Sequence, residues 1–312
     1  LSRALNPDSD ASHEISVSLA DLGGLTSAPE SWQIDVPGPV RIAEADAGKP
    51  HISIIKALKH HAYDHTAATR AATRLRDADY TLHAFYADIL EAFPEMRLYL
   101  AEREAAPDGE NSSRLTATSG ISARDEYLRT IGAMFALYWL ARIGIDGERG
   151  WSFGVDDDWA PRHPDGPMPD HSELRRKFYE TTEWARLQQL LIDAGMLRRT
   201  AGGDVEVDVE VARSALALTA IHDIMKAEAL LPTVSPEHAS RCGFDAGDTI
   251  NDHDIALAYL LDYHAHVLPS FAALSPAEQR SVRFTQSKMS FNHGWLVQAE
   301  APPGALFGKF KQ

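Results

Sequence analysis

Apolar positions recur at helical spacing along most of the 312-residue chain. From Ile52 to Phe93 they return every three or four residues, which predicts one long helix or two that end before Pro94. Asp125 is predicted to cap a further helix that ends at Gly144, since aspartate accepts from the first free amides and glycine suits the left-handed C-terminal turn. The first half of the chain is therefore predicted to be helical.

The second half of the chain continues this pattern with one interruption. His171 opens an amphipathic segment that is predicted to be helical as far as Gly195, and the glycine pair at 202–203 predicts a tight hairpin after it. Asp208 is predicted to cap a helix that runs through the sequence AIHDIMKAEAL at 220–230. Helical spacing returns at 250–274, and the Ser-Pro-x-Glu start signal at 275–278 predicts a last helix.

The two ends of the chain differ from this helical middle. Residues 14–45 alternate in short pieces separated by Gly and Pro, which predicts a few small strands or irregular structure at the periphery. The tail at 291–312 is rich in Pro and Gly and is predicted to dock on the helices. We therefore predict a mainly α protein with an N-terminal extension at 1–50, a helical core at 51–290 and a C-terminal docking tail.

Charge and composition exclude several kinds of partner. The net charge of −15 and the lack of a basic stripe disfavour nucleic acid. The most apolar run, at 131–145, contains Arg142 and is shorter than the roughly 20 residues that span a bilayer, so we expect a buried helix and no membrane partner. One cysteine, Cys242, excludes an internal disulfide and favours an intracellular, cytoplasmic setting.

The chemistry of the chain is concentrated at His222 and Asp223, which lie in an otherwise apolar helical sequence. A carboxylate in an apolar interior is so unfavourable that it must be paired, hydrogen-bonded or bound to a metal. Neutral imidazole and carboxylate are good ligands for divalent cations such as Mn²⁺, Fe²⁺, Mg²⁺ or Zn²⁺. Lys226, one turn later, is placed to balance the aspartate or to bind an anionic substrate group.

The sequence HDIMK at 222–226 resembles the signature of the HD-domain metal-dependent phosphohydrolase superfamily. The resemblance extends over 171–290 at most. It implies an HD-like helical bundle in which the His-Asp pair lies at the end of one helix, an earlier histidine begins a preceding helix, and a later aspartate completes a divalent metal site. It also implies that a small phosphate ester, possibly a nucleotide, is the substrate.

Several residues could complete such a site. The first histidine is either His171, which begins a predicted helix, or His65, since the sequence HTAATRAATRL at 65–75 resembles the first-histidine helix of the family. The closing acid is Asp252 or Asp254, although an aspartate at a helix start also serves as a cap. His253 and His264 supply further imidazoles.

Three functions follow from these residues. The first is a metal-dependent hydrolase of a small anionic phosphate ester, in which Asp223 and Lys226 take part in catalysis. The second is an HD-like iron oxygenase, in which His253 and His264 are additional iron ligands. The third is a non-catalytic helical scaffold or interaction domain. The sequence does not determine the oligomeric state.

Overall fold

The computed structural model of the protein describes residues 34–104, 122–145, 180–239 and 243–287. Within these ranges the chain is mainly helical, as predicted. The predictions for His171, Cys242 and the C-terminal tail lie outside the described residues. The α-helices are α1 (Pro50–Ala57), α2 (His65–Arg74), α3 (Leu82–Ala92), α4 (Ala123–Ala141), α5 (Trp184–Asp193), α6 (Val209–Ile221), α7 (His253–Tyr263), α8 (Pro269–Ala272) and α9 (Pro276–Ser287). The strands are β1 (Val40–Ile42), β2 (Ala101–Arg103), β3 (Leu197–Arg199) and β4 (Val205–Val207).

The segment predicted as one or two helices before Pro94 is divided into three, α1 to α3. The reason is local capping. The Asp64 carboxylate accepts hydrogen bonds from the amides of Thr66 and Ala67, and the Thr81 hydroxyl accepts from the amide of Ala84. Each cap satisfies amides that a helix start leaves without partners, so each begins a new helix.

The start of α4 also differs from the prediction. Ser122, not Asp125, is the cap: its hydroxyl accepts from the Asp125 amide at 3.1 Å and donates to the Asp125 carboxylate at 2.7 Å. The Ser122 hydroxyl thus bonds to both the amide and the carboxylate of Asp125 and begins the helix. The prediction for the end of the segment is confirmed, since Gly144 adopts a φ of +86° just after the helix.

The predicted hairpin and the predicted cap of α6 are confirmed. Strands β3 and β4 pair antiparallel, and the Asp208 side chain accepts from the Val211 amide at 3.1 Å. However, α6 ends at Ile221, so the prediction that it runs through residues 220–230 is wrong. Asp223 has a φ of −110° and a ψ of 5°, and a 3₁₀ turn, Ile224–Lys226, follows it. The His-Asp pair therefore lies just beyond the end of the helix.

The segment predicted as helical at 250–274 contains two helices, α7 and the short α8. A 3₁₀ turn, Ala265–Val267, separates them, and Pro269 begins α8 at a position where its missing amide is not needed. The predicted start of α9 is confirmed, because Ser275 and Glu278 exchange hydrogen bonds between the amide of each and the side chain of the other.

The described part of the N-terminal extension contributes one short strand to the core. Strand β1 pairs in parallel with β2, and Val40 and Ile42 are buried in the same core as the helices. The prediction of small strands is confirmed here. The other residues of 34–45 are exposed or half-buried. Apolar side chains at alternate positions, Val40 and Ile42, are what anchor this short strand.

Helix α6 is central to the packing, since α2, α4 and α9 all contact it. The following turn, Ile224–Lys226, contacts α7 and the 3₁₀ segment Pro94–Leu100, and α6 also contacts that segment. This packing brings Asp223 next to side chains from distant parts of the chain. Among the described helices, none is both long enough and apolar enough to cross a membrane.

Candidate functional site

Three basic side chains surround the carboxylate of Asp223. The Nε2 atom of His222 and the Nζ atom of Lys226 each lie 3.1 Å from Oδ2, and the Nε2 atom of His253 lies 3.5 Å from Oδ1. The backbone amide of Asp223 donates to the hydroxyl of buried Tyr99 at 3.4 Å. We call Asp223, His222, Lys226 and His253 the Asp223 centre.

The local backbone explains how neighbouring residues meet at one carboxylate. His222 is the C-terminal cap of α6, and its amide donates to the carbonyl of Leu218. The chain then leaves the helix at Asp223, and the 3₁₀ turn places Lys226 three residues later on the same side. Because Ile224 and Met225 in this turn are completely buried, the turn is fixed against the core.

A buried glutamate and an arginine from α4 extend the charge network. Glu126 is only 1% exposed; its Oε2 lies 3.5 Å from Lys226 Nζ, and its Oε1 lies 3.5 Å from Arg129 Nη1. The sequence analysis missed both residues. They could have been identified as an acid and a base three positions apart inside an apolar helix. If such residues are buried, they must form an ion pair.

The electrostatics of the centre favour the charged forms of Asp223 and Lys226. Burial opposes ionisation of Asp223, but His222 and Lys226 outweigh it and keep the pKa of this carboxyl well below its ordinary value. Burial also opposes the charge on Lys226, yet Asp223 and then Glu126 raise its pKa above the ordinary value. The buried carboxylate is thus neutralised by partners, as the sequence analysis required of a carboxylate in this position.

His222 is oriented as a metal-binding histidine would be. Its Nδ1 lies 2.8 Å from the carbonyl of Thr219, which requires a proton on that nitrogen. Metal-binding histidines characteristically donate their second ring nitrogen to a carbonyl or carboxylate in this way. Burial works against protonation of His222, but Asp223 raises its pKa overall, so metal binding at Nε2 would release a proton.

The beginning of α7 adds carboxylates beside His253. Asp252, His253 and Asp254 form the one group among the described residues whose three possible ligand atoms all lie within 4.8 Å of one another. Asp252 Oδ1 accepts from the Ile255 amide, so Asp252 is also the helix cap. Asp254 Oδ1 accepts from Gln286 in α9 at 3.0 Å. His253 belongs to this group and also contacts Asp223.

Two other predicted ligands lie away from the Asp223 centre. His65 is exposed at the start of α2 with its ring against Tyr63, and no ion pair joins it to Asp223 in the described structure. His264 follows the end of α7, about 16 Å along the helix axis from His253 at 1.5 Å per residue. The structure therefore does not bring together the two histidines that an iron oxygenase was predicted to use.

The donor set of the Asp223 centre fits a divalent cation in part. Two imidazoles and a carboxylate are present, with further carboxylates at Asp252 and Asp254. Lys226 neutralises the same carboxylate oxygen that faces His222. Comparison of the chain with family models, with curated proteins and with solved structures finds no match.

Proposed function

We propose that the chain is a metal-dependent hydrolase of a small phosphate ester and that Asp223 is the central metal ligand. One observation carries this proposal: an imidazole faces each oxygen of a buried carboxylate, His222 on Oδ2 and His253 on Oδ1. A buried ion pair needs one partner for its charge, and this carboxylate already has Lys226. Two imidazoles in addition are the donors that a transition metal selects.

The distances fit coordination of one cation by Asp223 and either imidazole. When two ligand atoms lie about 2.1 Å from one cation and the angle between the two bonds is about 90°, the ligand atoms are about 3.0 Å apart, and wider angles lengthen this separation. The separations of 3.1 Å for His222 and 3.5 Å for His253 from the Asp223 oxygens lie in this range, whereas His222, Asp223 and His253 do not form a group within 4.8 Å, so binding by both imidazoles needs a side-chain rotation. Asp254 or Asp252 would then complete the set, and the imidazoles favour Mn²⁺, Fe²⁺ or Zn²⁺ over Mg²⁺.

The bound cation would lower the pKa of a water molecule and so supply hydroxide near neutral pH. Lys226 would contribute a fixed positive charge to the phosphate group. The ammonium of Lys226 contacts both Asp223 and Glu126. Arg129 also contacts Glu126, which weakens the attraction between Glu126 and Lys226. These contacts keep the lysine side chain in one position, which favours a substrate anion bound there.

The start of α7 is the open side of the centre. His253 is partly exposed and Asp252 and Asp254 are exposed, whereas Glu126 and Asp223 are buried. A substrate would therefore approach past His253. The Ile255 amide at this helix start is already bonded to Asp252, and Asp252 and Asp254 are acidic, so the helix end alone would not attract phosphate. Because the net charge of the chain is −15, attraction of an anion would depend on the bound cation and Lys226.

The experiment is a phosphate-release assay on the full chain with p-nitrophenyl phosphate and nucleoside monophosphates, after addition of Mn²⁺, Fe²⁺, Zn²⁺ or Mg²⁺. His253→Ala should lower kcat/KM at least about tenfold, as loss of a metal-binding interaction does. His65→Ala is the matched control, because His65 and His253 are each the first residue of a helix capped by an aspartate. It should retain wild-type activity.

Three outcomes would overturn the proposal. Wild-type protein that releases no phosphate with any of the four metals excludes the hydrolase and leaves the scaffold function. Equal activity in His253→Ala and wild type excludes this centre as the site. Oxygen consumption with Fe²⁺ and no phosphate release supports the oxygenase instead.

A further inference from the structure

Four histidines from different parts of the chain meet at the opposite end of α7 from the Asp223 centre. His264 stacks on His51 with ring centroids 4.4 Å apart, and its centroid is 5.7 Å from that of His238 and 6.5 Å from that of His266. His51 lies in α1, His238 ends the turn Pro236–His238, and His264 and His266 follow α7. We call these four residues the histidine cluster.

We propose that the histidine cluster is a second metal site that binds a transition metal such as Zn²⁺ or Cu²⁺. Imidazole suits these metals, whereas Mg²⁺ and Ca²⁺ select carboxylate and carbonyl oxygens. Two imidazoles that share one tetrahedral metal at about 2.0–2.1 Å have ring centroids roughly 5 Å apart. The separations around His264 lie on both sides of this value.

Small side-chain rotations are needed to bring the ring nitrogens together. In the described residues, the nitrogens of the cluster do not form a group within 4.8 Å, and His51 and His264 are stacked rather than tilted toward a common point. His266 is exposed and the other three are half-buried, so the rings of His51, His264 and His266 can turn toward His238. Binding would therefore order side chains that the fold has already gathered.

The surroundings of His264 and His51 favour their neutral forms, as metal binding requires. Burial, then the nearby charges of His51, His238 and His266, lower the pKa of His264 to about 4 against the opposing effect of Glu237. Burial, His266, Lys49 and His238 lower the pKa of His51 as well. A neutral imidazole offers the ring-nitrogen lone pair that a transition metal binds.

Tyr259 supplies an outer contact to the cluster. Its hydroxyl lies 2.7 Å from Nδ1 of His238 and accepts from the amide of Ser235 at 3.2 Å. A proton on Nδ1 would leave Nε2 of His238 free for the metal. The ring of Tyr263 stacks on His238 at 3.7 Å and keeps the imidazole in its plane. Such outer contacts orient metal-binding histidines.

The test is calorimetric titration of the metal-free full chain with Zn²⁺, together with electron paramagnetic resonance after addition of one equivalent of Cu²⁺. We expect His264→Ala to lose one of the Zn²⁺ equivalents that the wild type binds. In the His253→Ala background, where the Asp223 centre is altered, His264→Ala should also weaken the nitrogen couplings in the Cu²⁺ spectrum. His61→Ala is the control, because His61 is an exposed histidine outside the cluster. His253→Ala, which alters the Asp223 centre, should keep the Zn²⁺ equivalent of the cluster.

Two milder variants keep the test valid if His264→Ala does not fold. Tyr259→Phe should weaken Zn²⁺ binding roughly 10- to 100-fold, as loss of an outer contact does, and His51→Gln should weaken it further. Wild-type protein without this Zn²⁺ equivalent would overturn the proposal. So would unchanged Zn²⁺ binding in His51→Gln and His264→Ala. Loss of the Zn²⁺ equivalent in His253→Ala with retention in His264→Ala would assign the ion to the Asp223 centre instead.

Discussion

Replacement of Lys226 by Met tests whether this lysine compensates the buried acids of the Asp223 centre. Methionine preserves most of the length and the apolar stem of the side chain but removes the ammonium group. The Lys226 side chain is only 11% exposed, and its Nζ lies 3.1 Å from Asp223 and 3.5 Å from Glu126. The variant therefore leaves two buried carboxylates with one cationic partner fewer.

The expected cost follows from these distances. At an effective dielectric constant of about 20, the Coulomb attraction between Lys226 and each of the two carboxylates is about 5 kcal/mol. The free-energy cost of removing the ammonium from water offsets part of this attraction. Removing one partner of a buried pair typically costs about 3–5 kcal/mol. Because His222 still faces Asp223 and Arg129 still faces Glu126, we expect the lower end, about 3 kcal/mol.

The assay is urea and thermal unfolding of the chelator-treated protein, so that no added cation replaces the lysine. A loss of about 3 kcal/mol corresponds to a fall in Tm of roughly 5 °C, because about 2.1 cal/mol/K per residue gives an unfolding entropy of about 0.65 kcal/mol/K for 312 residues. Lys56→Met is the control: Lys56 approaches Asp46 to 2.6 Å, but its side chain is 63% exposed, and such pairs contribute about 1 kcal/mol or less. A loss in Lys226→Met no larger than in Lys56→Met would refute the role given to Lys226.

Two further predictions concern stability away from the centre. Burial raises the pKa of Glu95, whose Oε1 accepts from the Ser270 amide at 2.7 Å. The folded state therefore keeps a proton that the unfolded state loses. The free energy of unfolding falls as pH rises above the ordinary pKa of glutamate. The fall in stability amounts to about 1.4 kcal/mol for each unit by which the pKa is raised, and Glu95→Gln should remove it. Urea unfolding of both proteins from pH 4 to 8 measures this effect. An equal loss of stability in wild type and variant would contradict the prediction. Gly48 has a φ of +73°, and an added Cβ would lie 2.2 Å from Thr233 Oγ1, so Gly48→Ala should cost about 1–3 kcal/mol. Gly203→Ala, at a φ of +90° but with open space around it, should cost less in thermal unfolding, and equal losses would show that the contact with Thr233 is unimportant.

The features of the fold that could be predicted from the sequence are those set by neighbouring residues. The cap of α6 by Asp208 and the start of α9 at Ser275 depend on side chains and amides within three residues of each other. Periodicity likewise identified helical segments, since it reports which face is buried. It did not separate α1, α2 and α3, because the caps at Asp64 and Thr81 interrupt the pattern without changing its period.

The candidate site was predictable only where its residues are adjacent. His222, Asp223 and Lys226 were identified because they stand together in an apolar sequence. Glu126 reaches Lys226 from a helix 100 residues earlier, and that contact depends on how α4 packs on α6. Such packing leaves no local trace in the sequence.

The histidines show the same limit more clearly. His253 and His264 are 11 residues apart and belong to one helical segment, so the sequence analysis assigned both to one metal site. The ends of α7 instead contact different elements: His253 faces Asp223, and His264 meets His51. Which partner each end of a helix meets is decided by tertiary packing, which the spacing of residues along the chain does not report.

The most direct measurement is the affinity of the metal-free chain for Mn²⁺, by calorimetry, in wild type, Asp223→Asn and Asp88→Asn. Asp88 is the matched control because it is 8% exposed, against 9% for Asp223, and its carboxylate is also paired, with Arg70 and Tyr80. We expect wild type and Asp88→Asn to bind one Mn²⁺ with similar affinity and Asp223→Asn to lose that binding. Equal Mn²⁺ binding in Asp223→Asn, or none in wild type, would contradict a metal centre at Asp223.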